Sequence, residues 1–244
     1  MDKIIAYLAI KHEGDWDAIY KAINEKEQVN REEIDRVVDE CKYNYITIID
    51  EKFPTNLKGM YKPPFILFYK GNFDLVYAKG KVGMVSSKKK LSPYAEDVAK
   101  TFTRDLVDDS HILVLADNES VLPVVEEEIR AKGGSYIKVL SSNIDDSNTD
   151  DYENCLVITE YPCKSEKHKG LMSQGKLMGA LSGRGMLVVE AKKNDKCMIA
   201  VTKALENSID IYAIPHRIDE DDCCNGLIKE GAILADSARD ITEG

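Results

Sequence analysis

The chain has 244 residues, of which 43% are hydrophobic and 31% charged, enough for one ordinary domain with a small appendage and a real core. Its formal net charge is −10 at pH 7, which excludes a surface that grips DNA everywhere and leaves room only for a local basic patch, since phosphate binding depends on Lys and Arg. The six cysteines contain no CxxC pair and the four histidines are scattered, so no metal and no cofactor is expected.

Residues 1–45 read as helical. Trp16, Ile19, Tyr20 and Ile23 recur at helical spacing, as do Ile34, Val37, Val38 and Cys41. The apolar run Ile4–Ile10, flanked by charge, is too short for a signal peptide or a membrane span. A cytoplasmic protein with reduced thiols and no membrane partner is therefore expected. The pattern predicts a small N-terminal helical module over 1–45, either packed on the main domain or with a separate role, and a main domain over 46–244.

In the main domain β-rich runs begin: Phe65–Tyr69, Lys81–Val85, His111–Leu115, Tyr136–Leu140, Cys155–Thr159, Gly185–Glu190 and Ile209–Ile214. Most are nearly continuously apolar, as expected of strands covered on both faces. Helical stretches alternate with them at Pro93–Val107, Val121–Lys132, Gly170–Leu181 and Cys197–Asn207. Strand–helix alternation predicts an α/β fold with a mostly parallel sheet and helices on both faces. The polar, acidic segment Ser141–Asn154 is expected to be an exposed loop.

In such sheets ligands bind beyond the carboxyl ends of the strands. The loops there carry Lys88, Lys89 and Lys90, then Lys164, Lys167, His168, Lys169 and Lys176, then Lys192, Lys193 and Lys196. Three basic clusters on one edge point to a polyanion, although Asp219–Asp222 falls on the same edge. Ser86 and Ser87 lead towards a helix N-terminus, where hydroxyls and free N–H groups favour an anion. Ser92 and Pro93 read as the N-cap and first residue of that helix. Tyr94, Tyr161 and Tyr212 are few candidates for base stacking.

Catalytic motifs are absent: no Gly-x-Ser-x-Gly elbow, Walker loop or His-Glu metal motif occurs. Glu160 and Glu190 end predicted strands and could hold a ribose or act as a base. Hydrogen bonding to loop N–H groups is the preferred role for both, because His168 and His216 have no evident carboxylate partner in sequence. The expectation is a protein that is not an enzyme.

Three stretches together resemble the DprA (Smf) family of DNA-processing proteins. Tyr45–Asn72 is similar to its opening segment, with Phe53 in place of the usual tyrosine and Pro54, Leu57, Pro63, Pro64 and Gly71 in their places. Thr159–Pro162, Gly179–Ala191 and Ala204–Pro215 form the second stretch. Cys223–Ala232, with Asn225, Leu227, Ile228, Gly231 and Ala232 in register, forms the third. The resemblance implies an extended Rossmann-like fold, single-stranded DNA as ligand, a homodimer and the RecA recombinase as partner. It also implies that the family's C-terminal winged-helix extension is missing here.

The binding loops depart from the family pattern. V-G-S-R is Val85, Ser86, Ser87 and Lys88; S-G-x-A-x-G-I-D falls on Leu115–Leu122, with its glycines replaced by Ala116 and Ser120. R-N-R falls on Gln174, Gly175 and Lys176, and S-G-S near Asp195, Lys196 and Cys197. The resemblance thus implies a nucleic-acid site at Ser86, Ser87, Lys88, Gln174, Lys176, Lys193 and Asn225. Three functions compete: strand binding through the basic rim, a diverged interaction module that has lost DNA binding, and a nucleotide-binding enzyme resting on Glu160 and Glu190. The first is the leading expectation.

Overall fold

The computed structural model describes residues 2–87, 90–144, 153–162, 167–220 and 223–244, the side chains of Lys167 and His168 excepted. Among these, nine strands form one sheet: β1 (Asn44–Thr47), β2 (Ile66–Gly71), β3 (Lys81–Ser86), β4 (Ile112–Ala116), β5 (Tyr136–Val139), β6 (Cys155–Thr159), β7 (Gly185–Glu190), β8 (Ile211–Ala213) and β9 (Ile233–Leu234). Their spatial order is β1-β2-β6-β5-β4-β3-β7-β8-β9. The β1–β2 and β2–β6 pairs are antiparallel; every other pair is parallel. The fold is the predicted Rossmann-like one, with an antiparallel pair added at one edge.

Strand residues alternate between two cores, as the period of two demands. Phe68, Met84, Leu113, Leu115, Val157, Leu187 and Val189 face one side. That side is covered by α1 (Asp2–Lys11), α2 (Trp16–Asn24), α3 (Arg31–Asp39), α5 (Pro93–Asp108) and α6 (Leu122–Lys132). Leu67, Val114, Ile137, Ile158 and Val188 face the other side, beneath α4 (Thr55–Lys58), α7 (Lys167–Leu181), α8 (Cys197–Glu206) and α9 (Cys224–Lys229). The last helix is α10 (Arg239–Thr242). The Phe-Pro-x-x-Leu pattern is a packing device: Phe53 and Leu57 are 1% and 0% exposed in the second core.

Residues of the N-terminal helices join the sheet's own core. Ala6, Tyr7, Leu8 and Ala9 of α1 lie in one cluster with Phe68 and Met84. Trp16 stacks on Phe65 at 5.1 Å, and its indole N–H donates to the Pro63 carbonyl (2.7 Å).

The structure adds elements that were not expected, the short helices α4, α9 and α10 and the strands β1 and β9. β1 is added at the sheet edge, where its Asn-Tyr-Ile-Thr sequence is half polar because only Ile46 and Thr47 are buried. β9, two exposed residues long, offers too little pattern to detect. In the segment expected as an exposed loop, Asn143 and Ile144 are buried; its residues 145–152 lie outside the described part.

Candidate nucleic-acid interface

Strand order reverses between β3 and β7, so their carboxyl ends flank the switch point where open α/β sheets place ligands. The register shifts there between Val85 and Ser86, turning the chain out of the ladder. The Ser87 N–H then donates to the Glu190 carbonyl (2.8 Å), joining the two strand ends.

The next loop folds onto this one. The Ser86 N–H donates to Glu119 Oε2 (2.7 Å), and the Val121 N–H donates to Ser86 Oγ (3.0 Å). Ser120 Oγ donates to the Ser87 carbonyl. Ser86 and Glu119 are 0% and 7% exposed. The Ser86 backbone N–H is therefore held by a carboxylate of the protein itself. At the N-terminus of α5, Glu190 Oε2 accepts the Ser92 N–H (2.9 Å), and Ser92 caps the Ala95 N–H as expected.

Gln174 is 3% exposed and ties loops together. Its Nε2 donates to Asp117 Oδ1 (2.6 Å) and the Val139 carbonyl (2.7 Å), while its Oε1 accepts from Asn118 (2.8 Å). Lys176 pairs with Glu160 Oε1 at 2.7 Å, their side chains 15% and 8% exposed. Ser173 Oγ donates to the same oxygen (2.6 Å). Thus Glu190 takes the preferred backbone-bonding role, whereas Glu160 holds a lysine and a serine.

Asn225 lies further along the edge. Its Oδ1 accepts the His216 N–H (3.1 Å) and its Nδ2 donates to the His216 carbonyl (2.7 Å). His216 does have a carboxylate neighbour, Glu220 Oε2 at 3.0 Å from Nδ1, one helical turn's spacing away. Lys90, Lys193 and Lys196 are exposed. Lys88, Lys89, Lys164, Asp221 and Asp222 lie outside the described residues, as do the side chains of Lys167 and His168.

The structure therefore gathers Ser86, Ser87 and Gln174 into a buried, cross-linked network, with Lys176 beside it. Lys193 stands on the surface of the β7–α8 loop. Cys197 opens α8, and its burial raises the thiol pKa, with Glu119 adding to that; it stays neutral. Of the three tyrosines expected near the rim, Tyr212 is a core residue, Tyr161 is buried, and the Tyr94 hydroxyl bonds the Pro215 carbonyl (3.1 Å). Sequence reasoning missed Glu119, which nothing marks out in an ordinary acidic loop.

A family model for DNA recombination-mediator protein A matches residues 44–244. The chain belongs to the DNA recombination-mediator protein A family. It is 29% identical to the DNA processing protein DprA of Streptococcus pneumoniae (strain ATCC BAA-255 / R6) over 214 residues, covering 82% of this chain and 73% of that protein. Against DprA of Bacillus subtilis (strain 168) it is 25% identical, covering 82% and 70%. Solved DprA structures share the fold. That of S. pneumoniae superposes with a TM-score of 0.82 at 22% identity, covering 100% of this chain and 97% of the other. That of Helicobacter pylori, solved to describe the protein's single-stranded DNA binding mode, gives 0.71 at 20% identity, covering 83% and 96%. Within the described residues, no DprA-family helix here is long and apolar enough to cross a membrane.

Proposed function

We propose that this protein binds single-stranded DNA along the carboxyl edge of its sheet, holding the strand without reacting with it. The observation that carries this reading is the meeting of the loops after β3, β4 and β7 at the switch point, with Lys90, Lys193 and Lys196 exposed in a chain of net charge −10. Membership of the family and the H. pylori relative support it. With the Ser86 N–H taken by Glu119, contact falls to ammonium groups, Lys88 and Lys193 first. Lys176 joins only by leaving Glu160. The non-catalytic part rests on Glu160 and Glu190, which are both engaged by protein donors and so stand less ready as a base. Fluorescence anisotropy with a labelled oligonucleotide tests the reading: Lys193→Glu with Lys196→Glu should weaken binding at least tenfold on the order of the loss of two phosphate contacts. Unchanged affinity overturns the placement.

The same proposal includes a cytoplasmic location, a homodimer and hand-over of the strand to RecA. Self-association is supported by β9, the outermost strand, with Ile233 and Leu234 exposed at 42% and 46%; a second copy can extend such an open edge. Light scattering of wild type against Leu234→Lys tests this, a dimer becoming a monomer.

A second reading has its own observation. The donors of the family's anion loops are already satisfied internally: Ser86 N–H by Glu119, Ser87 N–H by Glu190, Gln174 by Asp117 and Val139. That favours a protein-interaction module which no longer binds DNA. Folded protein with no oligonucleotide binding at low salt supports it.

A further inference from the structure

A cleft of about 320 Å³ opens between the start of α2, the Met60–Lys62 turn ahead of β2, and α7. It adjoins the carboxyl edge and shares the Lys176–Glu160 pair with it, the rest of its lining being separate. Each lysine lining it is paired with a carboxylate lining it: Lys169 with Asp15 (2.5 Å), Lys62 with Asp17 (2.5 Å), Lys176 with Glu160 (2.7 Å) and Lys203 with Glu206 (2.7 Å). Four cations and four anions leave the cleft without net charge, so nothing in it selects a phosphate over a neutral molecule.

Its remaining character is aromatic. Tyr61 lines the cleft at 81% exposure, far above the burial usual for so large a ring. Trp16 forms part of the wall, with Lys62 Nζ 4.9 Å from its ring centroid. At the inner end Glu160 Oε1 receives both Ser173 and Lys176, while Oε2 has no hydrogen-bond partner among the described residues. A carboxylate oxygen left open at the wall of a cleft can accept an N–H donor.

A neutral planar ring with an amino group on its edge answers all three features: size, exposed aromatic face and open acceptor. We infer that this cleft binds a nucleobase carrying an exocyclic amine, its face against Tyr61 and its amino group on Glu160 Oε2. The base can belong to a free nucleoside or to a strand lying on the adjoining edge; the recognition chemistry is the same. The inference stands whether or not the edge itself binds DNA. Thymine, which lacks an exocyclic amine, is the natural control, because Glu accepts from base amino groups.

The experiment uses the protein's own reporter. Trp16 is the chain's one tryptophan, so its emission reads this cleft directly. Deoxyadenosine is expected to change that emission saturably, with thymidine binding roughly tenfold or more weakly, the value of one hydrogen bond to a charged group. Tyr61→Ala, at an exposed position that leaves the fold intact, and Glu160→Gln are both expected to weaken deoxyadenosine binding. Lys193→Glu should leave it unchanged. If a deoxyadenosine oligonucleotide alters the emission while the free nucleoside does not, and Tyr61→Ala abolishes the change, the cleft is a subsite for a strand. If the nucleoside binds and no oligonucleotide does, the cleft stands and the edge-binding function falls. No saturable change with either probe in folded protein overturns the inference, as does equal binding of deoxyadenosine and thymidine that ignores Tyr61→Ala.

Discussion

At the end of β3, Glu119 accepts the Ser86 N–H at 2.7 Å while 7% exposed. On the proposed reading, an arriving strand has to displace or bypass a like charge held at short range, where the interior dielectric makes repulsion strong. Glu119→Gln keeps the shape and an acceptor oxygen but removes the charge. Oligonucleotide affinity by anisotropy is expected to rise roughly tenfold, about the effect of one such charge; equal or weaker binding contradicts this account of the loop. Asn225 poses the opposite case. Both ends of its amide brace the His216 peptide, so Asn225→Ala is expected to lower stability by about 1–3 kcal/mol. Chemical denaturation reads that loss, and oligonucleotide affinity should stay within twofold, roughly the scatter of additive distant effects. The residue types at Ser86, Ser87 and Asn225 were legible in the sequence; their partners were not. Which carboxylate fills a donor depends on how the β4–α6 loop folds back, and no local pattern encodes that.

The strands and helices of the α/β layers were legible because burial on both faces writes itself as unbroken apolar runs: β4 is buried throughout and β3 at every position after Lys81. The edges were not, since β1 shares its surface with solvent and β9 is two residues long. Close contact between α7 and α8 rests on Gly175 and Gly179, one turn apart. A Cβ on Gly179 would meet the Ala204 N at 2.7 Å, and one on Gly175 would meet Ile199 Cγ2 at 2.7 Å. Because the first obstacle is backbone, it cannot turn aside. Gly179→Val is expected to destabilise by about 3 kcal/mol or more, lowering Tm by several degrees; an unchanged Tm would contradict this packing. At the other end of the site, Asp15 caps α2 and pairs with Lys169. The Lys169 ammonium, then the Ala18 N–H, hold its carboxyl below the usual range. A depressed folded pKa gives stability that is present above the unfolded value, near 3.9, and lost as pH falls through the folded one. The Tm difference between wild type and Asp15→Asn is therefore expected to be full at neutral pH, to start shrinking as pH falls through about 4 and to vanish once pH is below the folded value; a difference that does not shrink on acidification would argue against the pairing.

For the whole molecule, charge decides how a strand could be held. A chain of net charge −10 repels DNA at long range, and its cross-linked loops leave few backbone donors for phosphate. On the proposed reading, binding comes from surface ammonium groups acting as point charges, with affinity falling steeply as salt rises. The sequence predicts a basic edge from three lysine clusters; among the described residues Lys90, Lys193 and Lys196 are exposed, whereas Lys169 and Lys176 are ion-paired. The neutral aromatic cleft beside it was not legible there, because Trp16, Tyr61 and Glu160 meet only when α2, the turn before β2 and the end of β6 are folded together. Its four ion pairs also show why counting lysines overstates a basic surface. The most direct measurement is anisotropy of a labelled single-stranded oligonucleotide across a salt series, for wild type, Glu119→Gln and Lys193→Glu with Lys196→Glu. Strand binding on the carboxyl edge predicts a log-log slope of about −0.7 per phosphate neutralised, tightening in the first variant and loss in the second. No binding at low salt by folded protein, in wild type and Glu119→Gln alike, would contradict it.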